Sequence, residues 1–179
     1  LGRALSMSRN NIKIGVILQG AETPFMKEVL KGIQEACAEV DNLGGTVLVH
    51  KIEHQNAEDV ILAMEKMRME EVRGIAMVPL DEERVKREID RFVEEFRIPV
   101  VTFTSDVEDT KRLCFVGQNG VKCGRAAAGL MGELTGGKGK VAVISGYSTN
   151  TSLSSRVVGF REEIARKYPG IEIIGPEYC

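Results

Sequence analysis

Polar, charged and aromatic residues gather in five short segments: 19–25, 79–81, 103–106, 118–119 and 146–156. Among them stand Phe25, Asp106, Asn119 and Arg156, with Thr104 and Ser105 beside the acid. A carboxylate accepts twice, a guanidinium donates as a fork, and an amide does one of each, so all three can engage two neighbouring hydroxyls. An aromatic face packs against the C–H face of a saturated ring. The set suits a neutral polyhydroxylated ligand. Phe25 is the candidate stacking ring, Asp106, Asn119 and Arg156 are candidate hydroxyl partners, and Thr104 and Ser105 add weaker contacts. Each has a plainer alternative. Phe25 could begin the core stripe of a helix, Asn119 could be a turn residue before Gly120, and Arg156 could pair with Glu162 or Glu163.

Catalytic readings fare worse. A serine nucleophile needs a base within reach, and neither His50 nor His54 lies in one of these segments. The GGKGK stretch at 136–140 sits between a helix and a strand, the reverse of a phosphate loop, and no Ser or Thr follows its lysine. No G-x-G-x-x-G follows the first apolar strand, and no G-x-S-x-G occurs. The cysteines Cys37, Cys114, Cys123 and Cys179 form no CxxC pair, and with two histidines they fit no zinc spacing. Reduced, mostly buried thiols are expected. No cofactor or metal is expected, nor enzymatic turnover.

The segments need elements to hold them. The 179 residues are 43% hydrophobic and 28% charged, the balance of a globular chain. A net charge of −2 gives no basic footprint for nucleic acid. No apolar run reaches the length of a membrane span, and the start lacks the apolar core of a signal peptide. Residues 12–18, IKIGVIL, read as a strand. Thr23 then offers an N-cap hydroxyl, Pro24 sits at the first helical position, and Phe25, Val29, Ile33, Cys37 and Val40 follow at helical spacing.

The unit recurs. Strands are expected at 46–52, 74–80 and 98–103. Helices open at Asn56, with Val60, Met64 and Met67 inward, and at Asp81, with Val85, Ile89, Phe92 and Phe96 inward. Strand followed by amphipathic helix implies parallel pairing with right-handed crossovers. After a polar loop at 106–112 come a short strand at 114–117 and an Ala- and Gly-rich helix at 121–134, suited to close packing. A turn at 136–140, a strand at 141–145, a ten-residue loop at 146–155, a helix at 157–168 and a strand beginning at 171–174 follow. Each polar segment then falls at a strand's carboxyl end, where open parallel sheets bind ligands.

The segment IKIGVILQGAETPFMKEVLKGIQEA resembles the opening strand and helix of ribose-type periplasmic binding proteins and of LacI-type repressor cores. The resemblance continues through GIAMVPLD, IPVVTFTSD, FVGQNGVKCGRAAAGLM, GKVAVISG and RVVGF, covering residues 11–175. It implies an α/β, two-lobed periplasmic-binding-protein-like (type I) fold with parallel doubly wound sheets and an incomplete second lobe. Residues 11–117 would form the N-terminal lobe and 118–179 the start of the C-terminal lobe. Thr23-Pro24-Phe25-Met26 matches the family's Asn-Pro-Phe-Phe, whose aromatics contact sugar. Thr104-Ser105-Asp106 matches a segment that often carries an acidic sugar ligand. Gln118-Asn119 matches an Asp-Asn pair at the hinge, and Arg156, in R-x-x-G-F, an arginine used on sugar hydroxyls.

LGRALSMSRNN at the start resembles the end of a repressor's hinge helix, with Arg3 and Leu5 retained and Gly2 in place of Ala. Residues 1–10 would then be the linker. In that family the leucine matching Leu5 wedges into the minor groove of DNA, which the resemblance implies for Leu5. By this resemblance the chain is expected to be the effector-binding part of a sugar-responsive transcriptional regulator: cytoplasmic, homodimeric, and bound to operator DNA through a headpiece upstream. The other branch of the resemblance implies an extracytoplasmic sugar-binding protein of an ABC transporter, with the same pocket and no DNA partner.

Overall fold

The computed structural model describes residues 12–20, 22–146 and 148–178. Leu5 and the rest of the expected linker lie outside the described residues, as does Cys179.

The first half builds a five-stranded parallel sheet. Its strands are β1 (Lys13–Gln19), β2 (Thr46–Ile52), β3 (Ile75–Met77), β4 (Val100–Phe103) and β5 (Cys114–Val116), in the order β2-β1-β3-β4-β5. Residues 15–19 of β1 are all buried, as both faces of a central parallel strand must be. The chain leaves β1 by α1 (Pro24–Asn42) to reach β2 on one side. It then crosses by α2 (Ala57–Met69) to β3 on the other, and continues through α3 (Glu83–Glu94) to β4. Right-handed crossovers running opposite ways place α1 on one face and α2 and α3 on the other. The cores divide accordingly. Met26, Val29, Leu30 and Ile33 of α1 pack against Val16, Leu18 and Val78. Val60, Met64 and Met67 of α2, with Val85, Ile89 and Phe92 of α3, pack against Ile17, Met77 and Val100.

The second half holds α4 (Gly120–Leu134), β6 (Lys138–Ser145), α5 (Thr151–Lys167) and β7 (Gly170–Tyr178), with β6 and β7 forming a separate parallel pair. The two helices approach until their backbones touch. A Cβ on Gly124 would lie 2.0 Å from the Arg156 carbonyl oxygen, and one on Gly159 2.0 Å from that of Val121. Only glycine fits at those crossings. Val141, Ile171, Phe160 and Ile164 fill the core beneath. The opposite face of the pair, with Ile144 and Ile174, is exposed.

Several boundaries differ from the sequence expectation. The ten-residue loop at 146–155 is shorter, because Asn150 accepts the Ser152 N–H and starts α5 at Thr151. The turn expected at 136–140 yields to β6 from Lys138, where Lys138 pairs with Gly170. Asp81 does not open α3; it holds Lys86 at 2.7 Å, and Glu82 occupies the cap without a side-chain bond. The thiols are less buried than expected, with Cys114 exposed and Cys37 and Cys123 half-buried.

Candidate ligand-binding site

In a 2-1-3-4-5 sheet the crossovers part between β1 and β3, and the crevice opens outside their carboxyl ends. Gln19, the last residue of β1, spans that point, donating from Nε2 to the Val78 carbonyl at 2.5 Å. Its side chain is almost wholly buried, and its Oε1 finds no hydrogen-bond partner among the described residues.

Beside it lies a cavity of about 610 Å³. One wall comes from the tips of the five-stranded sheet: Gln19, Gly20, Thr23 and Phe25, then Val78, Pro79 and Leu80, then Phe103, Thr104 and Ser105. The facing wall comes from Gln118 and from the first turns of α5, with Asn150, Ser152, Leu153 and Arg156. Residues predicted from sequence to serve a ligand therefore divide. Thr23, Phe25, Thr104, Ser105 and Arg156 line this cavity. Asp106 and Asn119 line an adjoining one of about 510 Å³, which shares Thr104, Gln118 and Ser152 with the first.

Local chemistry explains the division. Phe25 is 65% exposed, and its neighbour Met26 supplies the first residue of the helix core instead. The ring is thus free toward the cavity, contrary to the core-stripe alternative. Thr23 caps α1, its Oγ1 accepting the Met26 N–H at 3.3 Å. Arg156 does not pair with its helix neighbours, because Glu162 is held by Arg125 at 2.9 Å and Glu163 by Arg166 and Lys167. It donates instead to the Ser152 carbonyl at 2.8 Å and to Gln118 Oε1 at 3.2 Å.

Asp106 is committed elsewhere. Arg112 Nη2 donates to its Oδ2 at 2.6 Å, while Thr102 Oγ1 and its own neighbour's N–H, that of Val107, donate to Oδ1. The chain turns at Thr104 with φ of +60°, a strained conformation for a β-branched residue, and this carries the next carboxylate away from the first cavity. Asn119 accepts the Lys122 N–H at 2.9 Å and caps α4.

The walls are tied at one corner. Ser105 Oγ donates to Asn150 Oδ1 at 2.8 Å, Thr151 Oγ1 donates to the Asp106 carbonyl at 2.5 Å, and Asp81 N–H donates to the Thr149 carbonyl at 3.1 Å. Sequence reasoning singled out neither Gln19 nor Gln55, which also lines the cavity. Gln55 lies in the loop after β2, to which the rule that strand tips line the crevice applies equally. Among the described residues no group of three or more His, Cys, Asp or Glu side chains could hold a metal. No described helix is long and apolar enough to cross a membrane.

A parallel sheet presenting polar strand tips to a second α/β unit across a cavity is the architecture of a two-lobed binding protein. Residues 14–179 match the family model described as periplasmic binding protein domain, and the chain belongs to that family. It is similar to an ABC transporter solute-binding protein from Burkholderia graminis solved with D-arabinose, at 26% identity over 94% of this chain and 56% of that one, with a TM-score of 0.84. A glucose-galactose binding protein from Geobacillus stearothermophilus superposes with a TM-score of 0.83 at 26% identity, over 93% of this chain and 58% of that one. A sugar-binding protein of a sugar ABC transporter from Bacillus halodurans gives 0.76 at 28% identity, over 94% and 56%. The chain thus spans under three-fifths of these structures and covers part of a two-lobed domain. No curated protein matches the sequence.

Proposed function

We propose that this chain is the ligand-capturing part of a sugar-type solute-binding protein serving an ABC transporter, outside the cytoplasm. The observation that carries it is the cavity at the strand switch point, walled by Phe25 and Thr104 on one side and Arg156 on the other. Residues 11–117 act as the first lobe and 118–179 as the opening of the second, so a ligand held between them favours the closed arrangement by its differential affinity for it. The regulator expected by resemblance shares this pocket, but its distinguishing residue, Leu5, lies outside the described residues. Two of the structural neighbours reported above are described as binding proteins of ABC transporters, which favours the receptor. A homodimer on operator DNA has no such support.

Titration calorimetry of the complete protein against pentoses, hexoses and their derivatives tests the reading. Binding at micromolar levels by at least one is expected. Phe25→Ala and Arg156→Ala should each weaken it by tenfold or more, equivalent to about 1.4 kcal/mol. Unaltered affinity in both variants, or no binding at millimolar levels, overturns the site. Retention of an operator fragment by the complete protein would restore the regulator.

A further inference from the structure

We propose that Thr151 is a positioning residue for the ligand site: with its two preceding neighbours it clasps the start of α5 to the first unit, and so sets where Arg156 stands before a ligand arrives. This rests on the first cavity being the binding site. Three consecutive residues hook three points of the first unit. The Thr149 carbonyl accepts the Asp81 N–H at 3.1 Å, in the loop after β3. Asn150 Oδ1 accepts from Ser105 Oγ at 2.8 Å, just past β4. Thr151 Oγ1 bonds one residue in both directions, accepting the Asp106 N–H at 2.9 Å and donating to the Asp106 carbonyl at 2.5 Å. A hydroxyl has one donor and two acceptor lone pairs, so it can make this two-way bond, and a methyl group can make neither half.

Both sides of the clasp are anchored. The Asp106 carboxylate is held by Arg112 and Thr102, which fixes the peptide that Thr151 grips. On the other side Asn150 Oδ1 also accepts the Ser152 N–H at 3.1 Å and caps α5. Arg156 is braced on that same helix turn, donating to the Ser152 carbonyl at 2.8 Å and to Gln118 Oε1 at 3.2 Å. A helix turn moves as one body, so a shift at Thr151 is passed to Arg156, about 7.5 Å further along the axis. Thr151 itself borders the adjoining cavity and not the first. Its effect on affinity therefore runs through the aim of α5. Freedom removed before binding does not oppose binding, so a preset wall tightens capture without a contact of its own. Asp106 thereby serves the site from outside it, through its backbone.

The test compares Thr151→Val, which keeps the shape and loses the hydroxyl, with Thr151→Ser, which keeps the hydroxyl. Calorimetry of the complete protein uses D-arabinose, D-glucose and D-galactose. Small-angle scattering of the sugar-free protein reports how freely the two units part. Thr151→Val is expected to weaken the sugar that binds by about tenfold and to enlarge the sugar-free particle, with the unfolding midpoint near that of the parent. Thr151→Ser should restore both. Affinity in Thr151→Val equal to the parent's, or Thr151→Ser as impaired as Thr151→Val, overturns the inference and leaves the sugar-type reading standing. If none of the three sugars binds the parent protein, the sugar-type reading loses its support and scattering decides the clasp alone: an unchanged particle in Thr151→Val overturns it, and an enlarged one restored by Thr151→Ser upholds it.

Discussion

Thr104 and Asp106 show how two residues two positions apart come to different ends. Thr104 adopts a left-handed conformation at the tip of β4, where its side chain borders both cavities. Strain at a β-branched residue persists only where its surroundings require it, at a cost of order 1–3 kcal/mol. Thr104→Gly is expected to raise the unfolding free energy by about 1 kcal/mol while weakening ligand binding, a split that denaturant titration and calorimetry together resolve. Asp106 instead anchors Arg112 and the start of the 106–112 loop. Asp106→Asn leaves a half-buried guanidinium without its counter-ion, and a loss of about 2 kcal/mol is expected from urea unfolding. An affinity change without that stability loss would return Asp106 to the site.

Helix pairing sets the second tier. The Gly124 and Gly159 crossings hold α4 and α5 in backbone contact, so Gln118 and Arg156, at the leading ends of that pair, keep a fixed relation. Gly124→Ala or Gly159→Ala drives a methyl into a carbonyl oxygen and should cost about 1–3 kcal/mol or more, whereas Gly129→Ala, with open space around it, should cost nothing measurable. The urea midpoints of the three variants check this ordering. Between α2 and α3, Glu65 sits with Arg68 and Arg91, both of whose guanidinia lie over the Phe96 ring. Burial alone would push the Glu65 carboxyl up, but the hydrogen bonds from Arg68 and Arg91 outweigh it and hold it below its ordinary value of 4.5. The folded state then binds its proton less readily than the unfolded chain. The stabilisation is complete above pH 4.5 and is lost as pH falls through the depressed value. Glu65→Gln should flatten that part of the stability-against-pH curve.

Much of this tier was legible in the sequence. Thr23-Pro24 announced α1, and the 3.6-residue spacing of Val60, Met64 and Met67 announced α2, because both signals are local. The start of α5 was not, since T-S-L-S-S looks like loop until Asn150 folds back onto Ser152. At the site, the strand-tip rule brought Thr23, Phe25, Thr104, Ser105 and Arg156 to one cavity, as their element positions require. It could not foresee that Thr104 would turn left-handed and send Asp106 to Arg112, a matter of backbone conformation and a partner six residues on. Nor does one-dimensional spacing reveal that Glu162 and Glu163 have other cations to hold.

At the scale of the molecule, two α/β units meet along one cleft, joined by Ser105, Asp106 and Asp81 on one side and by Asn150, Thr151 and Thr149 on the other. These links lie at one corner of the cleft, so opening about them would move Phe25 away from Arg156. Ligand should therefore slow amide exchange at Ser105 and Asn150 and not only at the residues it touches. The bare side of the β6–β7 pair has a different consequence. Ile144 and Ile174 form a greasy strip in water on a sheet that has two strands among the described residues. Colloidal behaviour follows from such a surface: residues 12–178 expressed alone should enhance anilinonaphthalene sulfonate fluorescence and drift toward higher apparent mass as concentration rises. Ile144→Lys with Ile174→Lys should quench both effects, since a charge on each strand makes the strip wettable and repels a second copy.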